Sequence, residues 1–198
     1  MNRVYCFKMN SLSNFNPVQH APEASGWPAA ILADLRSDHA GEAGAVQIYR
    51  GILCITRNAD LRAFAEHHLA TEQEHLALIG SHLPVAQYSV LLKVWRVAGW
   101  LTGVLPALFG PRVVYATVAA VETFVDRHYA EQVARLDALP ADRDRAALRA
   151  DLERCRLDEL HHRDEALQAG ASTGWVVRLW TGAAKHGSAA AVALARRL

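Results

Sequence analysis

The sequence lacks paired cysteines. Its three cysteines, Cys6, Cys54 and Cys155, are isolated, and no Cys-x-x-Cys occurs in the 198 residues. A zinc knuckle needs closely spaced cysteine pairs, and a disulfide scaffold needs many cysteines. We therefore expect neither, and isolated thiols are typical of a reducing compartment.

The chain also has no large excess of positive or of negative charge. The chain has 21 basic and 20 acidic residues and a formal net charge of +1. Proteins that bind nucleic acid usually carry a basic stripe. We therefore expect no nucleic-acid partner.

No uncharged apolar run is long enough to cross a bilayer. The most apolar segment, residues 90–109, contains Lys93 and Arg96, and its uncharged part after Arg96 has only thirteen residues. A membrane-spanning helix needs about 20. Trp95 and Trp100 beside basic residues are typical of the headgroup boundary. The segment is predicted to lie in a membrane interface, and the alternative is a buried connection.

Length and composition predict one helical domain. The chain is 52% hydrophobic, which is enough for one sizeable core. Alanine is abundant, and glycine and proline fall mostly between periodic segments. Residues 1–26 have no apolar signal core and too few arginines for a mitochondrial presequence. We interpret residues 1–26 as a partly ordered extension and residues 27–198 as a single domain, with a composition usual in bacteria.

Five long helices are predicted from periodicity and from helix-breaking residues. The second begins at Asp60, which we expect to be its N-cap, and the third begins after Gly110-Pro111. A last amphipathic helix carries Trp175 and Trp180. The predicted ranges are 28–57, 60–82, 111–138, 142–169 and 173–197.

One pattern of acidic and histidine residues occurs twice. Glu42 is followed by Glu72-x-x-His75, and Glu122 is followed by Glu159-x-x-His162. Two residues three apart on a helix share one face, so each Glu-x-x-His presents both side chains together. Mixed carboxylate and imidazole ligands suit iron or manganese better than zinc. Six such ligands on helices are the set that a carboxylate-bridged metal pair needs.

The spacing of each copy predicts a helical hairpin. Helix-breaking residues lie near the middle of both intervals, at 58–60 in the first and at 139–141 in the second. At about 1.5 Å per residue, the arms are roughly 21–24 Å and 27–29 Å long. Each hairpin is therefore expected to bring its two glutamates to nearly the same height.

Several motifs together make the chain resemble a known family, the demethoxyubiquinone hydroxylases of ubiquinone biosynthesis. The resemblance extends over roughly residues 35–198. The motifs that carry it are Asp38-His39-Ala40-Gly41-Glu42-Ala43-Gly44-Ala45 with Ile48-Tyr49, Glu72-x-x-His75, the Trp-rich crossover ending in Gly110, Val121-Glu122 with His128-Tyr129, Asp158-Glu159-Leu160 with His162, and Arg197-Leu198.

This resemblance implies an all-α, ferritin-like four-helix bundle with an apolar interfacial crossover helix and a C-terminal amphipathic helix. It implies a di-iron monooxygenase that hydroxylates a polyprenyl-methoxy-methyl-benzoquinol with O2 and electrons from NADH. The protein would lie peripherally on the cytoplasmic side of a cell membrane, among other ubiquinone-biosynthesis proteins.

The resemblance also implies two iron ions per subunit and assigns their ligands. Glu72 and Glu159 would bridge the metals, and the four glutamates would form the catalytic set. The first ion would be held by Glu42, Glu72 and His75, and the second by Glu122, Glu159 and His162.

Other polar residues are predicted to support the ligands. Tyr49 and Tyr129 each follow a ligand glutamate by seven positions, so each could hydrogen-bond a carboxylate or contact the quinone, although a core role is equally open. Asp38, one turn before Glu42, could orient a ligand histidine or favour the helix dipole. Asp126 could act similarly near Glu122. We expect that His68, His128 and His161 are not ligands.

Three alternatives remain open on sequence grounds. A ferritin or bacterioferritin-like protein uses similar ligands to oxidise and store iron, but it has no need of an apolar, Trp-bearing crossover. A di-metal hydroxylase with a soluble or tRNA substrate would not bind membranes. A non-catalytic membrane-associated bundle would bind no iron.

Overall fold

The computed structural model describes residues 27–140 and 142–198. The expectation for residues 1–26 lies outside the described residues, as does Ala141 in the second predicted turn. The described part of the chain contains helices and no strand, so the fold is all-α, consistent with a ferritin-like helical bundle. The elements are α1 (Ala29–Ile55), α2 (Ala59–His82), a 3-10 helix (Val85–Gln87), α3 (Leu92–Ala107), α4 (Pro111–Asp137), α5 (Arg143–Gln168) and α6 (Trp175–Ala195).

The described residues divide into two compact units. The first contains residues 27–110 with 191–198, and thus α1, α2, α3 and the chain end. The second contains residues 111–190 without Ala141, and thus α4, α5 and most of α6. The expectation that residues 27–198 form one domain stays a prediction.

Local chemistry explains where the helices begin and end. The side chain of Asn58 accepts a hydrogen bond from the Leu61 N–H at 2.8 Å, so Asn58 is the N-cap of α2 and the prediction of Asp60 is wrong. Asp142 caps α5 in the same way, by accepting from Arg145 N–H at 2.9 Å. Each side chain satisfies a backbone donor that has no partner within the helix.

Glycines permit the chain to turn beside α4 and α5. Gly110 has φ of 101° just before α4, and Gly170 has φ of 94° just after α5. These left-handed conformations are strained for residues with a side chain. The two glycines therefore mark the start of α4 and the end of α5.

Helix α3 packs on α1 through glycines. Gly99 lies against the backbone of Gly44, and Gly103 lies against the backbone of Ile48. A side chain at either glycine of α3 would overlap a carbonyl oxygen of α1. The close approach fixes the crossover helix on the helix that carries Glu42.

The opposite face of α3 is exposed and apolar. It presents an exposed stripe made of Val94, Val97, Leu101, Leu105 and Leu108, while the buried residues of the helix are mostly small. The alternative of a fully buried crossover is therefore wrong for this face. Nowhere in the part of the chain that the structure describes is a helix both long and apolar enough to cross a membrane.

The end of the chain is tied to the first unit. Arg196 forms an ion pair with the buried Asp34 of α1. The guanidinium of Arg36 donates to the Gln87 carbonyl oxygen at 2.8 Å and to the Arg196 carbonyl oxygen at 3.3 Å. These bonds join α1, the segment after α2 and the C-terminal residues.

The cysteines differ in state. Cys155 is a buried thiol. Cys54 is disulfide-bonded, which the separate positions of the three cysteines in the sequence do not indicate.

Candidate metal centre

The first unit brings together Glu42 of α1 with Glu72 and His75 of α2. All three side chains are buried. Nδ1 of His75 lies 3.8 Å from Oε2 of Glu42 and 3.9 Å from Oε2 of Glu72. Each residue offers one ligand atom, and these three atoms lie within 4.8 Å of one another. Two carboxylates and an imidazole therefore converge on one small volume.

The second unit contains a set of the same composition. Glu122 comes from α4, and Glu159 and His162 come from α5, all of them buried. Nδ1 of His162 lies 3.3 Å from Oε2 of Glu159. One ligand atom from each residue again lies within 4.8 Å of the others.

Helical spacing and hairpin folding together produce both sets. The three-residue interval places each histidine one turn from a glutamate, as in Glu72 and His75. The preceding helix, which runs antiparallel to the Glu-x-x-His helix, supplies the other glutamate, as α1 supplies Glu42 to the pair on α2. This is the arrangement that the duplicated sequence pattern predicts.

The charges in each set favour a bound cation. Burial lowers the pKa of His162, but its hydrogen bond to Glu159 and the charges of Glu159, Glu122 and Asp158 outweigh burial and raise that pKa. The surroundings of His162 are therefore strongly negative. Buried carboxylates are costly unless positive charge offsets them, and a divalent cation supplies that charge. The residues present thus fit an iron site by charge and by ligand type.

The three histidines that we expect not to be ligands, His68, His128 and His161, have the following neighbours. The side chain of His161 is 63% exposed and pairs with Glu165 at 3.2 Å. His68 is buried, with its ring 4.2 Å from that of Phe64 and 5.7 Å from that of Tyr49. His128 lies 2.9 Å from the side-chain nitrogen of Gln132.

The three predicted supporting residues are all buried. Tyr49 packs against the rings of Phe64 and His68, and Tyr129 lies beside His128 with ring centroids 6.4 Å apart. Asp38 is buried in α1 one turn before Glu42. Their roles toward the ligands stay predictions.

Asp126 has a partner that the sequence did not indicate. Its carboxylate accepts a hydrogen bond from Arg156 of α5 at 2.9 Å, and Arg156 also binds Glu153 at 2.7 Å. This ion pair joins α4 to α5 four residues after Glu122 and three before Glu159. Asp126 therefore holds two helices together, which is a different task from orienting a ligand histidine.

Sequence reasoning also missed a stacked pair in the first unit. The rings of His39 and Tyr88 lie 3.7 Å apart at 24°. Burial lowers the pKa of His39 to about 4 and raises the pKa of Tyr88. The two residues are 49 positions apart, and no local pattern indicates that they meet.

Comparison with known proteins confirms the family resemblance of the sequence. A family model described as "Ubiquinone biosynthesis protein COQ7" matches residues 29–195. A Rhodospirillum rubrum protein named 3-demethoxyubiquinol 3-hydroxylase is 35% identical over 178 residues, which are 86% of this chain and 80% of the relative.

Two further relatives have similar names. A Paraburkholderia xenovorans protein with the same name as the first is 33% identical over 76% of this chain and 70% of its own length. A Dictyostelium discoideum protein named NADPH-dependent 3-demethoxyubiquinone 3-hydroxylase, mitochondrial, is 29% identical over 99% of this chain and 92% of its own length.

Proposed function

This chain belongs to the COQ7 family of ubiquinone biosynthesis proteins, and we propose on that premise that it is a 3-demethoxyubiquinol 3-hydroxylase. The enzyme is an O2-dependent hydroxylase that adds one oxygen atom to the ring of a polyprenyl-methoxy-methyl-benzoquinol. The observation that carries this function is the pair of buried sets, each with two glutamates and one histidine. Relatives with the hydroxylase name support it.

Each buried set is proposed to bind one iron ion. Glu42, Glu72 and His75 would hold the first, and Glu122, Glu159 and His162 the second. Bound iron supplies the redox chemistry that activates O2. The protein's own contribution is to fix the ligands on rigid helices and to keep them away from bulk water.

Glu72 and Glu159 are proposed to bridge the two ions. This follows from the family resemblance. Mössbauer spectra of protein loaded with ⁵⁷Fe test it, because carboxylate-bridged ferric ions couple magnetically. Two uncoupled ferric ions would rule out the bridge while leaving both sets as metal sites.

Tyr49, Tyr129 and Asp38 are proposed to support the reaction from the ligand-bearing helices. All three are buried on α1 or α4, the helices that carry Glu42 and Glu122. A phenol there would orient a ligand carboxylate or contact the quinol ring, and Asp38 would orient a ligand histidine.

A reduced nicotinamide nucleotide is proposed as the electron source. Our sequence-based expectation is NADH, whereas the relative from Dictyostelium discoideum is named NADPH-dependent. Turnover with each nucleotide in turn, at equal concentration and with the same quinone, distinguishes them. Faster turnover with NADPH would contradict the expectation.

Peripheral attachment to the cytoplasmic side of a bacterial cell membrane is also proposed. A polyprenyl substrate partitions into the bilayer, so its hydroxylase gains by binding there. The exposed apolar stripe of α3 and the exposed Trp175, Val176 and Leu179 of α6 support such attachment. Other ubiquinone-biosynthesis proteins are proposed as partners at the same membrane.

The proposed activity is tested directly with reduced protein, O2 and the demethoxy-quinol. We expect a product that carries one added hydroxyl group. An iron-storage protein of the ferritin or bacterioferritin type would instead elute as a large cage filled with ferric iron and would leave the quinol unchanged. That combination would overturn the proposal.

A further inference from the structure

Acidic residues are absent from two long stretches of the chain. Residues 75–121 and residues 166–198 contain no aspartate or glutamate, although they hold seven of the 21 basic residues. The 20 acidic residues all lie elsewhere. The two stretches include α3 and α6, which are also the helices with the most exposed apolar side chains. The two stretches that have a net positive charge therefore also contain the helices with the most exposed apolar residues.

The surface of α1 and α3 in the first unit carries no exposed carboxylate. The acidic residues of α1 are Asp34, Asp38 and Glu42, and all three are buried. Helix α2 of the same unit differs, because its Asp60 and Glu74 are exposed. The absence of negative charge is therefore local to α1 and α3.

One cation, Lys93, borders the exposed stripe of α3. At about 100° per residue, Val94, Val97, Leu101, Leu105 and Leu108 lie within about 80° of one another. On the same projection, the exposed Lys93 lies about 40° from Val97. A basic flank beside an apolar stripe is typical of helices that lie in a lipid interface.

Two arginines add positive charge that no carboxylate offsets. Burial lowers the pKa of Arg50 on α1, and the positive charge of Arg96 on α3 lowers it further. Among the described residues, neither arginine forms an ion pair. Like charges kept close together without a counter-ion favour an anionic partner.

Helix α6, in the second unit, also combines exposed apolar residues with an exposed basic residue and has no acidic residue. Its exposed residues include Trp175, Val176 and Leu179, with the exposed Arg178 between them. The helix contains no acidic residue. An apolar surface alone would bind any lipid bilayer. A surface that has basic residues and no acidic ones should bind an anionic bilayer more strongly than a zwitterionic one.

We propose that α3 and α6 bind the anionic headgroups of a phospholipid bilayer, so that negatively charged lipid, and not apolar insertion alone, recruits the enzyme. This inference rests on the proposed membrane association and adds the chemistry of the partner. Apolar side chains would enter the headgroup–acyl boundary, Lys93 and Arg178 would contact lipid phosphates, and the half-buried Arg96 would add to the positive potential of the surface.

The test measures binding of the full chain to two kinds of vesicle. One contains phosphatidylcholine alone, and the other is an equal mixture of phosphatidylcholine and phosphatidylglycerol. We expect stronger binding to the anionic vesicles and a steady loss of that preference as salt is added, since ions screen charges at the surface.

Matched variants locate the effect. One combines Lys93→Gln, Arg96→Gln and Arg178→Gln, and the control combines Arg57→Gln, Arg127→Gln and Arg143→Gln. Both lose three positive charges from exposed or half-buried positions. We expect about fivefold weaker binding to anionic vesicles for each cation lost in the first variant, and little change in the control. Circular dichroism checks that both variants remain folded.

Other outcomes would overturn the proposal. Equal binding to both vesicles, unaffected by salt, would leave membrane association intact and remove the role of lipid charge. Equal weakening of the two variants would show a response to net charge without a specific surface. Hydroxylation of a short-chain quinol in detergent tests the proposed enzyme activity separately, because that assay contains no bilayer.

Discussion

Gly99 of α3 packs directly against the backbone of Gly44 on α1, and a Cβ atom at Gly99 would overlap the Gly44 carbonyl oxygen. Gly44 lies two residues after Glu42, one of the six predicted ligands. The contact therefore links the position of the crossover helix to that of the helix that presents Glu42. Backbone is on both sides, so no flexible side chain can move to make room.

Replacing Gly99 by alanine is expected to destabilise the protein by about 1–3 kcal/mol, because overpacking forces backbone to shift. Gly187→Ala is the control, since Gly187 is helical and exposed and a Cβ there meets nothing. Alanine is the better helix former, so the control should be neutral or slightly stabilising. Urea unfolding measures both, and equal effects of the two variants would contradict the close packing.

Substitution of the adjacent residues His161 and His162 is expected to change the iron content of the protein to different extents. His162→Ala should lower the iron content, because the buried imidazole belongs to the second ligand set. His161→Ala should leave the iron content unchanged, because its side chain is 63% exposed. Metal analysis of both purified variants, with circular dichroism to verify folding, measures this. Equal iron in the two variants would remove His162 from the set.

The Asp126–Arg156 pair is expected to stabilise the hairpin of α4 and α5. Asp126→Asn removes the charge from a hydrogen bond between helices, with its carboxylate and guanidinium 20% and 23% exposed. The expected loss of stability is about 1–2 kcal/mol. Asp164→Asn is the control, because Asp164 is 51% exposed and, among the described residues, pairs only with the adjacent Arg163. A loss of similar size in the control would contradict the role of Asp126.

Acid is expected to destabilise the first unit through His39. Burial lowers the pKa of this residue from 6.5 to about 4. Between these values the unfolded chain binds a proton that the folded chain does not, so stability rises with pH. The stabilisation that comes from keeping His39 neutral is complete above pH 6.5, and it is lost as the pH falls through that value toward 4. Between pH 7 and pH 5 the loss should be roughly 2 kcal/mol.

A His39→Phe variant isolates this effect. Phenylalanine keeps a ring against Tyr88 but cannot be protonated. Urea unfolding at pH 7 and at pH 5 should show a smaller change in stability for the variant than for the native chain. If both lose the same stability, His39 does not titrate as its burial indicates.

Most helix boundaries follow from the sequence, because glycine, proline and capping residues have strong local preferences. Every predicted boundary of the five long helices lies within two residues of the observed one. The predicted N-cap of α2 is wrong because Asn58 and Asp60 are both good capping residues. The extended backbone of Asn58, with φ of −68° and ψ of 126°, and the hydrogen bond that its side chain accepts from the Leu61 N–H decide between them.

Contacts between distant residues could not be predicted in the same way. The Glu-x-x-His spacing fixes two side chains on one helix face, so the proximity of Glu72 and His75 follows from helix geometry alone. The stack of His39 on Tyr88 and the bond from Arg156 to Asp126 depend on how helices and loops pack. The glycine contact of α3 with α1 is equally invisible, because helical periodicity does not specify which helix lies opposite.

Oxygen isotope transfer tests the proposed hydroxylase activity most directly. The reduced protein is supplied with the demethoxy-quinol and ¹⁸O2, and the product is analysed by mass spectrometry beside a Glu159→Ala variant. We predict one labelled oxygen atom in the product of the native protein and no product from the variant. No product from the native protein, unlabelled product, or equal labelled product from both proteins would contradict the account.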